Sequence, residues 1–216
     1  DSWTTELDIL TSIQHENILK CLECFHIEDH VIIVTEYVEG QDLFRIITEC
    51  DSIPINSRSI ACQIFEAVDV LHYKYAIAHM DLKIENVLVD KCGHIKLCDF
   101  GSAVRIPSDG KIRTSGITTP SILPPEYFIQ ESCDPRACDT WSAGIILYVL
   151  LCQRYPYGNN NPLAILILQS EQHLDFSGID TNVFQDMIHL IKQCLEINPK
   201  LRITSKDALK TDFFKI

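Results

Sequence analysis

Apolar residues recur at helical spacing from the first turn of the chain. Leu7, Leu10 and Ile13 fall on one face, with Ser2 or Thr4 as a cap, and predict a short opening helix. Two strands are expected next, near 19–26 and 31–37, joined by the turn Ile27-Glu28-Asp29-His30. Near Glu39-Gly40 the pattern becomes helical. Ile60, Ile64, Val68 and Leu71 then form one face of a long helix over about 56–75. A second hairpin pairs Val87-Leu88-Val89 with 94–98. Asp90-Lys91-Cys92-Gly93 supplies its turn, and Gly93 suits a positive φ. After a long polar loop, helices are expected at about 139–151, 162–169, 182–195 and 205–210. The chain has no internal repeats. The pattern is α+β: a few strands first, then a mainly helical body.

Composition narrows the picture. The 216 residues give room for one large domain or two small lobes, and 46% hydrophobic residues can fill a sizeable core. A net charge of −12 argues against nucleic acid and anionic membranes as partners. It is compatible with a basic partner, although an ordinary acidic surface explains it as well. The first residues lack the positive start and apolar run of a signal peptide. The chain does not begin with Met and is expected to be a piece of a longer one. The apolar run 143–152 is shorter than the roughly 20 residues that span a bilayer. No membrane span is expected, and the run reads as a buried helix. Ten cysteines without a signal peptide point to free thiols in a reducing compartment, the cytoplasm with the nucleus not separable. Cys21 and Cys24 form a C-x-x-C, but residues three apart on a strand face opposite ways. No second pair at finger-like spacing follows, so zinc is disfavoured.

The second hairpin carries the chemistry. Asn86 stands just before its first arm and Asp99 just after its second, so antiparallel pairing brings their side chains together. Mg²⁺ prefers oxygen ligands and takes only one or two from protein, phosphate oxygens supplying others. Asp81, five residues before Asn86, is a third carboxylate on the same loop, free to act as a base.

These residues resemble a known family. His79-Met80-Asp81-Leu82-Lys83-Ile84-Glu85-Asn86 is similar to the protein-kinase catalytic loop, and Asp99-Phe100-Gly101 to its metal-binding D-F-G. Pro124-Pro125-Glu126 stands where the family has A-P-E. Asp139-Thr140-Trp141-Ser142-Ala143-Gly144 resembles the start of the family's central buried helix, and Arg202 the arginine that pairs with the A-P-E glutamate. The resemblance covers essentially the whole chain. It implies a serine/threonine kinase, with catalytic-loop and central-helix regions most like the calmodulin-dependent and AMP-activated branch. The implied fold is a partial N-lobe and hinge over 1–38, then a C-lobe over 39–216.

The implied roles follow residue by residue. Asp81 would orient the substrate hydroxyl and accept its proton, and Lys83 would steady the transferring γ-phosphoryl group. Asn86 and Asp99 would hold Mg²⁺ on the ATP phosphates. Thr119 would brace Asp81 and Lys83. Glu6 matches the helix glutamate that pairs with the ATP lysine. Thr35, Glu36 and Val38 fall in the gatekeeper and hinge that meet adenine, and Leu88 and Asp42 complete the implied nucleotide-contacting set. Asp42 and Glu85 also stand where kinases that favour basic substrates place carboxylates against arginines. Protein substrates with basic residues before the target hydroxyl are therefore expected. Leu10, Leu22, His79 and Phe100 match a stacked apolar spine, and Glu126 with Arg202 a structural ion pair. Cys98, just before Asp99, reads as a small buried hydrophobe, or as a thiol reachable by electrophilic nucleotide-site ligands.

The chain departs from the pattern in two places. Met80 replaces the usual arginine that meets an activation-loop phosphate, and Val104 replaces a second basic residue. Phosphorylation of Ser108, Thr114, Ser115 or Thr118 is thus not expected to be needed for activity. No G-x-G-x-x-G and no V-A-I-K-type lysine occur in these residues. The chain is expected to be a fragment, inactive or nearly so alone, from an active parent. The rival reading is a non-catalytic pseudokinase or C-lobe scaffold that binds protein partners. A small-molecule kinase is disfavoured by Pro124-Pro125-Glu126 and Thr119.

Overall fold

A computed structural model describes residues 2–27, 30–49, 56–114, 119–158, 161–171 and 174–215. The first helix, α1 (Ser2–Ser12), forms where expected but includes both Ser2 and Thr4, so neither precedes it as a cap; Ile9 and Leu10 are its buried residues, with Leu7 half-buried and Ile13 buried just beyond it. Strands β1 (Cys21–Ile27) and β2 (His30–Thr35) pair antiparallel, with Glu28 and Asp29 of the expected turn outside the described residues. A bulge between Cys21 and Glu23 shifts the register, Cys21 facing Thr35 and Cys24 facing Ile33. The extra residue restores the alternation, so Cys21 and Cys24 share one face. This corrects the expectation that they point apart. The same bulge turns Leu22 outward, where it is 53% exposed. Leu22 therefore does not join an apolar stack; Cys21 is the β1 residue that packs against the core.

A short strand, β3 (Gly40–Asp42), leads into α2 (Leu43–Glu49). The long helix α3 (Ser57–Tyr73) is capped by Asn56, whose side chain accepts from the N–H groups of Arg58 and Ser59. Its buried face includes Ile60, Ile64, Val68 and Leu71. Strand β4 (Ile77–Ala78) precedes the loop that carries Asp81, which closes in a 3-10 turn at Ile84–Asn86. Strands β5 (Val87–Asp90) and β6 (Ile95–Leu97) form the expected hairpin, with Gly93 at φ +85°.

Strand β3 adds to β5 on the other side, giving the order β3-β5-β6. A Cβ at position 40 would sit 1.8 Å from the Val89 carbonyl oxygen, so only glycine allows this approach. Val87, Val89, Ile95 and Leu97 face the core from this sheet. Asp42, Leu88 and Lys96, in register across it, form the half-buried opposite side.

Two further pairings are too short to have been read from sequence. Strand β7 (Val104–Arg105) pairs with β4, and β8 (Ile112–Arg113) with β9 (Ser132–Cys133). A short helix, α4 (Pro125–Ile129), lies between β8 and β9. The buried helix α5 (Pro135–Cys152) starts four residues before the expected Asp139, because Asp134 caps it and Pro135 takes its first turn. All its residues from Cys138 to Leu150 are buried. Helices α6 (Pro162–Ser170), α7 (Gln185–Cys194) and α8 (Ser205–Ala208) complete the body, α7 beginning three residues later than expected. No helix of the described residues is long and apolar enough to cross a membrane.

The first 20 residues are fastened to this body by polar contacts. Leu97 exchanges bonds with the chain there: its N–H donates to Asn17 C=O at 2.8 Å, and its C=O accepts from Leu19 N–H at 2.9 Å. Buried Asn17 donates to Gln63 Oε1 at 2.9 Å, and the Gln63 amide donates to Gly93 C=O at 3.0 Å. Gln63 thus ties α3 to the hairpin and to the segment that follows α1.

Candidate active site

The loop between β4 and β5 is held from below by a carboxylate. Asp139, fully buried on α5, accepts from His79 N–H at 2.7 Å and from Met80 N–H at 2.8 Å. His72 of α3 contacts the same carboxylate at 2.9 Å. Met80 has a positive φ of 64°, a strained conformation for a non-glycine residue, and these bonds hold it. Asp139 and His72 are positioning residues; sequence reading singled out Asp139 only as the start of a helix and did not name His72. Asp139 lies 67 and 60 positions from its partners His72 and His79, so local pattern cannot link them. The Met80 side chain itself is buried in the core.

Beyond Met80 the chain turns Asp81 into a polar cluster. Lys83 Nζ donates to Asp81 Oδ2 at 2.6 Å and to Thr119 Oγ1 at 3.3 Å. The Thr119 hydroxyl donates to Asp81 Oδ1 at 3.0 Å. Asn86 Nδ2 donates to Asp81 C=O at 3.0 Å and to Asp81 Oδ2 at 3.2 Å. Asp81, Lys83, Asn86 and Thr119 therefore meet in one network. With its amide nitrogen occupied, Asn86 Oδ1 is left without a partner among the described residues.

Asp99 stands beyond the hairpin. Cys98 N–H donates to Asn86 C=O at 3.0 Å, extending the ladder past β5 and β6 to the two oxygen-bearing residues. Asp99 is exposed at φ +63°, and its contact is Gly101 N–H at 3.3 Å. Amide and carboxylate oxygens with spare lone pairs suit a hard divalent cation. Phe100 is buried, its ring 4.7 Å from that of His79. His79 Nδ1 accepts from Asp81 N–H at 3.3 Å, which leaves its Nε2–H to donate to Cys98 C=O at 3.1 Å.

Glu6 reaches the same corner. A Cβ placed on Gly101 would lie 3.3 Å from Asp99 Oδ1 and 3.8 Å from Glu6 Oε2. Burial, and then the Asp99 charge, raise the Glu6 carboxyl above its ordinary value. Glu6 has no ion pair or hydrogen bond among the described residues, so two acids face one another without a cation.

The hinge residues lie along the sheet's open side. Glu36 Oε1 accepts from Lys96 Nζ at 2.7 Å and from Lys20 N–H at 2.9 Å. Burial pushes its carboxyl up, but these bonds outweigh it and leave the carboxyl below its ordinary value. Its side chain thus fastens the segment after β2 to β6. Val38 C=O accepts from Gly40 N–H at 3.0 Å, while Val38 N–H has no partner among the described residues. Asp42 caps α2, accepting from Arg45 N–H at 2.8 Å, and lies opposite Leu88. Glu85 is exposed. Burial, then the Asp99 and Asp42 charges, push the Cys98 thiol up to about 11. It is therefore protonated near neutrality, which favours the small-hydrophobe reading of this residue.

Further along, Arg202 and Glu126 form a bidentate pair at 2.6 and 3.0 Å, with both side chains almost fully buried. Arg202 also donates to the Ala137 and Glu196 carbonyls, each at 2.9 Å. The segment from Asp99 to Glu126 is held by the β4–β7 and β8–β9 pairs, and Thr114 donates to Gln130 C=O at 2.5 Å. Ser108 is exposed; Ser115 and Thr118 lie outside the described residues.

The protein kinase domain family matches residues 1–214. The chain belongs to that family. The kinase domain is 32% identical over 216 positions to serine/threonine-protein kinase cds1 of Schizosaccharomyces pombe, covering 97% of this chain and 47% of that protein. It is 33% identical over 215 positions to CBL-interacting protein kinase 31 of Oryza sativa subsp. japonica, covering 97% of this chain and 46% of that protein. Calcium-dependent protein kinase 3 of Plasmodium berghei is 32% identical, with 97% of this chain and 38% of that protein covered. The chain thus spans less than half the length of these relatives. The mixed helix and sheet content is the α+β fold expected of the family.

Proposed function

We propose that the protein to which this chain belongs is a serine/threonine protein kinase, which transfers the γ-phosphoryl group of ATP to hydroxyls of protein substrates. The network joining Asp81, Lys83, Asn86 and Thr119 carries this reading. Asp81 presents a carboxylate oxygen to the substrate hydroxyl and takes its proton. Thr119 and Lys83 fix the angle of that carboxylate, and the Lys83 ammonium offsets charge on the group being transferred. Asn86 Oδ1 and the Asp99 carboxylate would hold the divalent cation, which we assign as Mg²⁺. When bound, that cation neutralises phosphate charge. Phosphoryl transfer depends mainly on positioning and charge stabilisation, so a rigid loop is the protein's main contribution.

Thr35, the backbone of Glu36 and Val38, and Leu88 form the floor and edge for adenine, with Asp42 nearby. Exposed Glu85 and half-buried Asp42 favour basic residues before the target hydroxyl, although Arg45 already engages the Asp42 carboxylate. The protein is placed in a reducing compartment, cytoplasm or nucleus. The reading predicts that the full-length protein transfers phosphate from ATP to a basic peptide. Asp81→Asn is expected to lower the rate by about 10²–10⁴-fold while nucleotide binding persists. Equal rates in both proteins would remove the proposal.

The rival reading is a partner-binding protein without catalysis. Nucleotide binding that is absent with Mg²⁺ present would support it.

A further inference from the structure

We propose that Cys133 and Cys138 are a redox site, closing into a reversible disulfide that ties β9, the anchor of the 99–126 segment, to the helix that carries Asp139. Their sulfurs lie 3.5 Å apart and share a hydrogen bond. Both residues are buried, at 3% and 1% exposure. A disulfide needs sulfurs about 2.05 Å apart, so the pair must close by only about 1.5 Å. The Cys21 and Cys24 thiols, although on one face, differ: Cys21 Sγ donates to the Glu23 carbonyl at 3.6 Å instead.

The surroundings give the pair an order of reaction. The hydrogen bond from Cys138 favours the thiolate at Cys133, against burial and the charges of Glu126 and Asp134, with Arg202 assisting. The Cys138 thiol is held protonated by that same bond and by burial, with Cys133 and Glu126 adding to this and Arg202 opposing it. Cys133 also lies on the short β8–β9 pairing through which an oxidant enters, and is assigned as the attacking sulfur on that ground. With a peroxide, its sulfur forms a bond to one oxygen, the O–O bond breaks and hydroxide leaves, giving a sulfenic acid. The Cys138 sulfur then attacks Cys133 sulfur, the S–S bond forms, and the hydroxyl departs as water. In sum, two thiols give up two electrons and two protons, and one peroxide becomes two waters. A dithiol reductant reverses the change. Access comes through β8–β9, a pairing of only two residues in each strand, which opens at low cost.

The bond would act on both ends of the catalytic arrangement. Cys133 faces Ile112 of the 99–126 segment. Cys138 immediately precedes Asp139, the residue that holds the His79 and Met80 backbone.

The test is direct on the full-length protein. Reduced protein is exposed to hydrogen peroxide, alkylated and cut with trypsin. Cleavage after Arg113, Arg136 and Arg154 places Cys133 in peptide 114–136 and Cys138 in peptide 137–154. Fragmentation distinguishes Cys138 from Cys152 in the second peptide. The two peptides are expected to appear linked through Cys133 and Cys138, and to separate after reduction. In Cys138→Ala, Cys133 is expected to give a dimedone adduct at least tenfold above the unsubstituted protein. Recovery of both cysteines as alkylated free thiols, while exposed Cys92 is oxidised, would overturn the proposal. So would the absence of the Cys133 adduct in the folded variant. Both readouts are independent of whether the protein transfers phosphate.

Discussion

From Ile77 to Asn86 the polar side chains that matter are paired: Asp81 with Lys83, Thr119 and Asn86, and Asp139 beneath them with His72 and two backbone amides. From Cys21 to Thr35 the balance is reversed. Leu22, Phe25, Ile27, Ile32 and Val34 present apolar surface to solvent from one face of the β1–β2 hairpin, and Glu6 nearby lacks a cation. The loop is finished by residues of this chain, drawn from α3, α5 and position 119. The hairpin is finished on one side only. The difference teaches where the chain's stability resides: in the α3–α5–α7 body and the segment up to Leu19 fastened to it, whose buried polar groups are matched, and not in the β1–β2 hairpin.

The sharpest way to break this contrast lies in the body. Glu126→Ala leaves the Arg202 guanidinium buried without its carboxylate. The change is expected to destabilise the protein by about 3–5 kcal/mol, read as a lower midpoint in urea unfolding. A change of a few tenths would mean that the body is not the stable part.

Glu6 gives a smaller effect with a definite sign. Its folded-state carboxyl is raised by burial and Asp99, so the unfolded form ionises more readily. The favourable contribution is therefore full below its ordinary value of 4.5 and is lost as pH rises through the raised value. Glu6→Gln is expected to raise the melting temperature of this chain at pH 7 and to leave it unchanged near pH 4. In a protein where a cation pairs with Glu6, the same substitution would lower the melting temperature at pH 7.

The smallest effect concerns the segment after Asp99. Its described part is held by main-chain pairing in β7 and β8, and the residue preceding Asp81 is a buried methionine. Ser108→Ala is accordingly expected to leave phosphate transfer unchanged in the full-length protein. A large loss would show that this segment depends on a phosphate.

The loop from His79 to Asn86 and the second hairpin were legible in the sequence because their residues are consecutive, and the turn residue Gly93 marks the hairpin's register. The body helices were legible from apolar spacing, although α5 was cut short. Its true start, Asp134-Pro135, is a cap signal that could have been used. The faces of β1 were not legible. A bulge leaves no mark in the pattern, yet it reverses Leu22 and brings Cys21 and Cys24 together. Strands of two residues, such as β4 and β7, carry too little pattern to be seen. The contacts of Asp139 and of Cys133–Cys138 were missed for another reason: they exist only once α5 is packed.

The contrast between the two regions is tested most directly by amide hydrogen exchange, followed residue by residue. The N–H groups of His79 and Met80, held by buried Asp139, and of Leu97, held by Asn17, are predicted to exchange only on global unfolding. Those of β1 and β2 are predicted to exchange by local opening, at least about tenfold faster. Equal protection in the loop and the hairpin would contradict the account, because the loop would then owe its order to nothing that the hairpin lacks.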